Sequence, residues 1–132
     1  MDASKYIGAP FAELGRDLAT GVDCYGLLLL IMRERGVDLP DPEYKSDWAA
    51  NGGNLFIENY ADYATEVSED DLVPGDVILL KGIEGVASHI AIYIGSGQFI
   101  HSSRGIGVTK GRLSSKQMRR RIVGFYQIKG AA

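Results

Sequence analysis

The chain contains a single cysteine, Cys24, and two histidines, His89 and His101. A thiolate attacks carbonyl carbon, and a neighbouring imidazole can take the thiol proton and later return it to a leaving group. A second imidazole, hydrogen-bonded to the first, can fix its tautomer, the role that an Asp or Asn fills in other triads. Taken singly, each residue also has an ordinary structural reading. A lone Cys beside a Leu-rich segment packs as a small apolar side chain, and a His on an alternating strand is more often structural than catalytic. The elements that carry the three therefore have to bring them together.

Residues Asp23 to Arg35 read as the clearest helix. Asp23 is a natural N-cap, Leu27 to Met32 are apolar on every face, Arg33 and Arg35 fall in the last turn, and Gly36 can close it. A helix apolar all round is buried, and its start can hold a residue rigidly at a cleft. Cys24 stands there. Ser88 to Ile94 alternates, with His89, Ala91 and Tyr93 on one face and Ile90, Ile92 and Ile94 on the other. Gly95 to Gly97 supplies a turn, and Gln98 to Ser103 returns with Phe99, His101 and Ser103 on one face. With a three-residue loop, Ile94 faces Gln98, His89 falls opposite Ser103, and His101 falls opposite Ala91. The two imidazoles are then diagonal neighbours on one face, about 7 to 8 Å apart at the backbone. A two-residue turn would put them on opposite faces, so a change of register or a bulge would remove the pairing.

This arrangement predicts thiol catalysis with His89 as base and then acid, His101 as its orienting partner, and backbone N–H groups at the helix start, that of Cys24 included, as oxyanion donors. A helix N-terminus and an imidazolium both favour the thiolate. Alkylation of Cys24 is therefore expected to persist well below the reference thiol pKa of about 8.5.

The 132 residues suffice for one compact domain, and 45% apolar with 23% charged residues is an ordinary globular composition. Seventeen glycines speak for many turns. Pro40 and Pro42 interrupt the stretch after the helix, and Leu55, Ile57, Tyr60 and Tyr63 suggest a short helix. Pro74-Gly75-Asp76 then turns into an apolar strand, Val77 to Lys81, and a final strand runs from Arg121 to Ile128. Helix first and antiparallel strands afterwards make an α+β order. One cysteine forms no internal disulfide, and the longest apolar run, Leu27 to Met32, is too short for a membrane span. The first residues lack a basic start followed by an apolar stretch, so no secretory signal is read and synthesis in the cytoplasm is expected. Net charge is -3, yet seven of the 14 basic residues lie from Lys110 to Lys129. They read either as a solvated strand edge or as a face for an anionic partner.

The local wording goes further. Gly21-Val22-Asp23-Cys24-Tyr25-Gly26-Leu27 resembles the nucleophile segment of the NlpC family of cell-wall cysteine peptidases. Tyr6-Ile7-Gly8-Ala9-Pro10-Phe11 resembles its entry segment, and Leu72-Val73-Pro74-Gly75-Asp76-Val77 its strand lead-in. Ser88-His89-Ile90-Ala91-Ile92-Tyr93-Ile94-Gly95 is similar to its base-bearing strand, and Phe99-Ile100-His101 to its third catalytic position. The blocks occur in family order from Tyr6 to about Ile128.

The resemblance implies a single papain-like α+β domain over residues 1–132, with the Cys-bearing helix buried against an antiparallel sheet. It implies hydrolysis of peptidoglycan stem peptides, commonly at the bond from the γ-carboxyl of D-glutamate to a diamino acid. Cys24 would be the nucleophile, His89 the base and His101 the orienter, with Asp23 and Ser88 as substrate-binding residues and with no metal or other cofactor. Gly15-Arg16-Asp17 after Pro10-Phe11 looks most like short members from phages and prophages. That points to a virion tail acting at the bacterial wall, with other tail-tip proteins as partners, and with neither nucleic acid nor membrane insertion expected. The alternative is a tail assembly component that keeps the fold with little or no catalysis. Two departures from the family stand out. Phe11 replaces a Tyr whose hydroxyl lies near the oxyanion, so that backbone donors, Tyr6 or Arg16 would have to serve, or activity would be weak. Tyr25 replaces a small residue, which implies a narrower cleft.

Overall fold

The computed structural model describes residues 1–42, 44, 55–82 and 87–131. Among these residues the strands and α-helices are β1 (Arg16–Asp17), β2 (Gly21–Val22), α1 (Cys24–Glu34), α2 (Leu55–Tyr60), β3 (Ala64–Val67), β4 (Val77–Lys81), β5 (Ala87–Gly95), β6 (Gln98–Ser103), β7 (Gly107–Arg112), α3 (Lys116–Arg119) and β8 (Ile122–Ile128). Six strands form one antiparallel sheet in the order β3-β8-β4-β5-β6-β7, and β1 pairs with β2 apart from it. The architecture is α+β, with the Cys-bearing helix buried against the sheet.

α1 starts and stops for local reasons. The Asp23 carboxylate accepts the Gly26 amide at 2.8 Å, satisfying one of the amides that a helix start leaves open. At the other end Gly36, at φ +87°, lets the Val37 and Gly36 amides turn back onto the carbonyls of Met32 and Arg33. Between these caps Leu27, Leu28, Ile31 and Met32 are almost wholly enclosed. They pack on the sheet face that carries Val77, Leu79, Ile90, Ile92 and Ile100. The other face buries Ile78, Leu80, Ala91, Phe99 and Leu113 under Tyr93, Met118, Ile122 and Phe125.

The hairpin differs from the expected three-residue loop, and the difference preserves the expected faces. Gly95 pairs with Gln98, so the turn itself is the two residues Ser96 and Gly97, both at positive φ, as a tight hairpin turn requires. Ile94 is then an extra residue on β5, and the register resumes with Tyr93 opposite Phe99 and Ile92 opposite Ile100. The short turn moves the register by one and the bulge moves it back. His89 and His101 consequently remain on one face.

The short β1–β2 pair and two strands of the main sheet were not read from the sequence. β7 is a sheet edge whose Gly-Val-Thr-Lys-Gly-Arg wording looks like a loop, and β3 is a four-residue edge strand whose partner, β8, is distant in sequence. β7 carries the exposed Lys110 and Arg112, so part of the basic cluster lies on an edge strand, where charge discourages pairing with other chains.

Candidate active site

The site is built where α1 begins. Residues 8–12 form a strap between two distant parts of the chain. The Gly8 amide donates to the Val108 carbonyl and the Val108 amide to that of Ala9; the Val22 amide donates to the Pro10 carbonyl and the Ala12 amide to that of Val22. The buried Ser102 hydroxyl also donates to the Val22 carbonyl, at 2.7 Å. The start of α1 is thus tied to β6 and β7 immediately before Cys24.

Asp23 anchors the same spot. One carboxylate oxygen takes the Gly26 amide and the Arg16 guanidinium at 3.0 Å; the other takes the Leu14 amide at 3.0 Å and the Tyr44 hydroxyl. Four donors occupy a group with about four acceptor positions. Asp23, expected at the substrate, is therefore fully engaged within the protein. Arg16 is similarly spent, on the Gly15 carbonyl, Asp23, Asp41 and the Tyr44 hydroxyl. Tyr6 donates to Glu34 at the far end of α1, about 15 Å from Cys24 at 1.5 Å per residue. Neither Tyr6 nor Arg16 is free to stand in for the hydroxyl that Phe11 lacks. Tyr25 is fully enclosed beside the rings of Tyr44 and Tyr60, so it fills the core and does not narrow a cleft.

The amides of Ile90, Cys24 and Tyr25 face the Cys24 sulfur and favour its thiolate. Tyr93 exchanges hydrogen bonds with Gly75 and Asp76, on the β4 side. Ile90, at an odd spacing from Tyr93, therefore directs its amide toward β6. The β5–β6 ladder ends at Ile92 opposite Ile100, so the sulfur takes an amide that a continued ladder would have used. That places it one residue along β5 from His89. His89 Nε2 and His101 Nδ1 are 2.9 Å apart, with the rings edge to face at 5.1 Å between centroids. The His101 ring also meets Phe99 at 5.3 Å. His89 uses Nε2 toward His101, so its Nδ1 takes no part in that pair. Ser88, the other residue expected at the substrate, is the extra residue of a bulge between Leu80–His89 and Lys81–Ala87 and is buried.

The electrostatics run opposite to the expectation of a lowered thiol pKa. Burial first, and the Asp23 carboxylate second, push Cys24 up to about 12, against the pull of the three amides. Burial, then His101 and Arg121, push His89 down to about 3, and burial with Arg121 takes His101 down to about 4. A cysteine only 7% exposed loses more solvation than the helix end returns. The resting pair is neutral thiol and neutral imidazole. Among the described residues no cluster of three or more His, Cys, Asp or Glu could hold a metal ion, and no helix is long and apolar enough to cross a membrane.

Comparison with known proteins places this geometry in context. The family model described as NlpC/P60 family matches residues 8–127. The tail tip assembly protein K of Escherichia phage lambda is 37% identical over 89 residues, which cover 66% of this chain and 45% of that protein. The probable endopeptidase NlpC of Escherichia coli is 32% identical over 109 residues, 82% of this chain and 62% of that one. A solved NLP/P60 family protein similar to a lipoprotein, from Staphylococcus aureus, superposes with a TM-score of 0.70 at 26% identity, covering 96% of this chain and 38% of that one. The chain thus spans less than two thirds of each of these proteins.

Proposed function

Since the chain belongs to the NlpC/P60 family, we propose that residues 1–132 form one cysteine endopeptidase domain that hydrolyses peptidoglycan stem peptides, at the bond from the γ-carboxyl of D-glutamate to a diamino acid. The observation that carries this reading is the 2.9 Å pairing of His89 Nε2 with His101 Nδ1 on the strand whose next amide meets the Cys24 sulfur.

The neutral resting pair gives the reaction its form. Cys24 Sγ attacks the amide carbonyl carbon as its proton passes to His89 Nδ1, forming the S–C bond and an oxyanion. The amides of Cys24 and Tyr25, already beside the sulfur, are the donors for that oxyanion. Each ion made alone would be costly in this buried place. Made together they attract, and the attraction offsets part of the desolvation. Collapse breaks the C–N bond while His89 protonates the leaving amine. Water then attacks the thioester, His89 takes its proton, and the proton returns to sulfur as the acid product leaves. One tautomer serves: His89 must donate Nε2–H to His101 Nδ1 so that its own Nδ1 is bare.

Purified protein incubated with peptidoglycan should release stem-peptide fragments with a new amino terminus on the diamino acid, and Cys24→Ala should release none. Equal release by both would overturn the reading. A second reading, a tail component that keeps the fold for assembly, rests on the similarity to the phage lambda tail tip protein. It expects Cys24→Ser in a phage particle to leave both assembly and infection unchanged.

A further inference from the structure

The turn after β6 carries a cation at the pole where α1 begins. Arg104 follows His101 by three residues, its side chain is 70% exposed, and its guanidinium lies over the Phe11 ring at 5.4 Å. It is ion-paired with Glu13, whose side chain is 35% exposed. Phe11 and Glu13 belong to the segment whose intervening Ala12 amide is bonded to Val22, two residues before Cys24.

We propose that Arg104 is a specificity-determining residue that binds a free carboxylate of the substrate next to the scissile bond. The inference rests on the stem-peptide reading above, because a glutamate linked through its γ-carboxyl keeps its α-carboxylate free on the acyl side of that bond. A guanidinium is planar, permanently charged and suited to a two-pronged grip on a carboxylate, and stacking on Phe11 limits the orientations it must lose on binding. Glu13 occupies the guanidinium with a carboxylate of the protein's own. An ion pair this exposed contributes little to stability, so a substrate carboxylate can displace it. Arg16, the other cation near the start of α1, has its donors committed to Asp23, Asp41, Tyr44 and the Gly15 carbonyl, which leaves Arg104 as the available one of the two.

The test uses two synthetic peptides of the form alanyl-γ-glutamyl-diamino acid, one with the glutamate α-carboxyl free and the other with it as a carboxamide. Calorimetry on Cys24→Ala should show the free acid binding at least about tenfold more tightly than the amide, the range expected for a charged hydrogen-bonded contact. Adding Arg104→Gln should abolish that difference, and adding Glu13→Gln instead should widen it. In the otherwise unaltered enzyme, Arg104→Gln should raise KM for the acid about tenfold, leaving kcat and the amide substrate unchanged. Equal binding of acid and amide to Cys24→Ala, or an equal loss on both peptides from Arg104→Gln, overturns the proposal. The binding arm decides it even if neither peptide is cleaved, whereas cleavage by the unaltered enzyme decides the hydrolase reading.

Discussion

Cys24, His101 and Asp23 each have a consequence that can be measured on its own. With the thiol pushed up to about 12, alkylation by iodoacetamide should keep accelerating by about tenfold per pH unit from pH 7 to 10. A plateau already reached at pH 6 to 8 would instead reveal a standing thiolate. His101→Ala should lower kcat by two to four orders of magnitude with little change in KM, as the proposed role of holding the His89 ring requires, and His101→Asn should restore part of the loss. Asp23 has a different part. Asp23→Ala removes the helix cap and leaves Arg16 without its buried partner, and should cost at least about 3 kcal/mol in urea denaturation. That the two imidazoles meet on one face was legible from their spacing. The thiol's state was not, because it depends on how completely the strap and the strands close over the sulfur.

The elements show the same division. α1 and the β5–β6 hairpin were legible because their apolar periods are long and their caps and turn are local. β7 and β3 were not, because edge strands with Gly, Lys and Glu owe their form to partners far along the chain. Gly26 makes the contrast testable. Inside a helix, Gly to Ala normally stabilises by up to about 1 kcal/mol. Here a Cβ would stand 2.0 Å from the Gly15 carbonyl oxygen, a backbone atom that cannot swing away. Gly26→Ala should therefore destabilise, by about 2 kcal/mol, and a stabilised variant would show that the loop at 15 is free to retreat. The hairpin carries the further lesson that turn length alone does not set the register: the extra residue at Ile94 restores the faces that the short turn would have exchanged.

Across the whole molecule, the two histidines link stability to acidity. Both are held neutral in the folded chain, at about 3 and about 4, against an ordinary value of 6.5. The unfolded chain therefore binds more protons between those values, and stability must rise with pH across that interval. Their contribution is complete above pH 6.5 and is lost as the pH falls toward 3. Thermal denaturation between pH 7 and 4 should show a steeper fall for the natural chain than for a His89→Gln, His101→Gln variant, whose remaining slope reports the carboxylates. Parallel slopes would mean that the rings are solvated.

The strap at residues 8–12 bears on timing as well as on shape. It closes the start of α1 only by gripping Val108 with one end and Val22 with the other. A nascent chain released before Val108 emerges would hold its sulfur in an unfinished setting, chemically an ordinary thiol. Competence for the proposed hydrolysis is thus withheld until the segment around Val108 has been made, a safeguard written into connectivity, and ribosome-stalled chains of increasing length should acquire hydrolytic activity only once Val108 has left the ribosome.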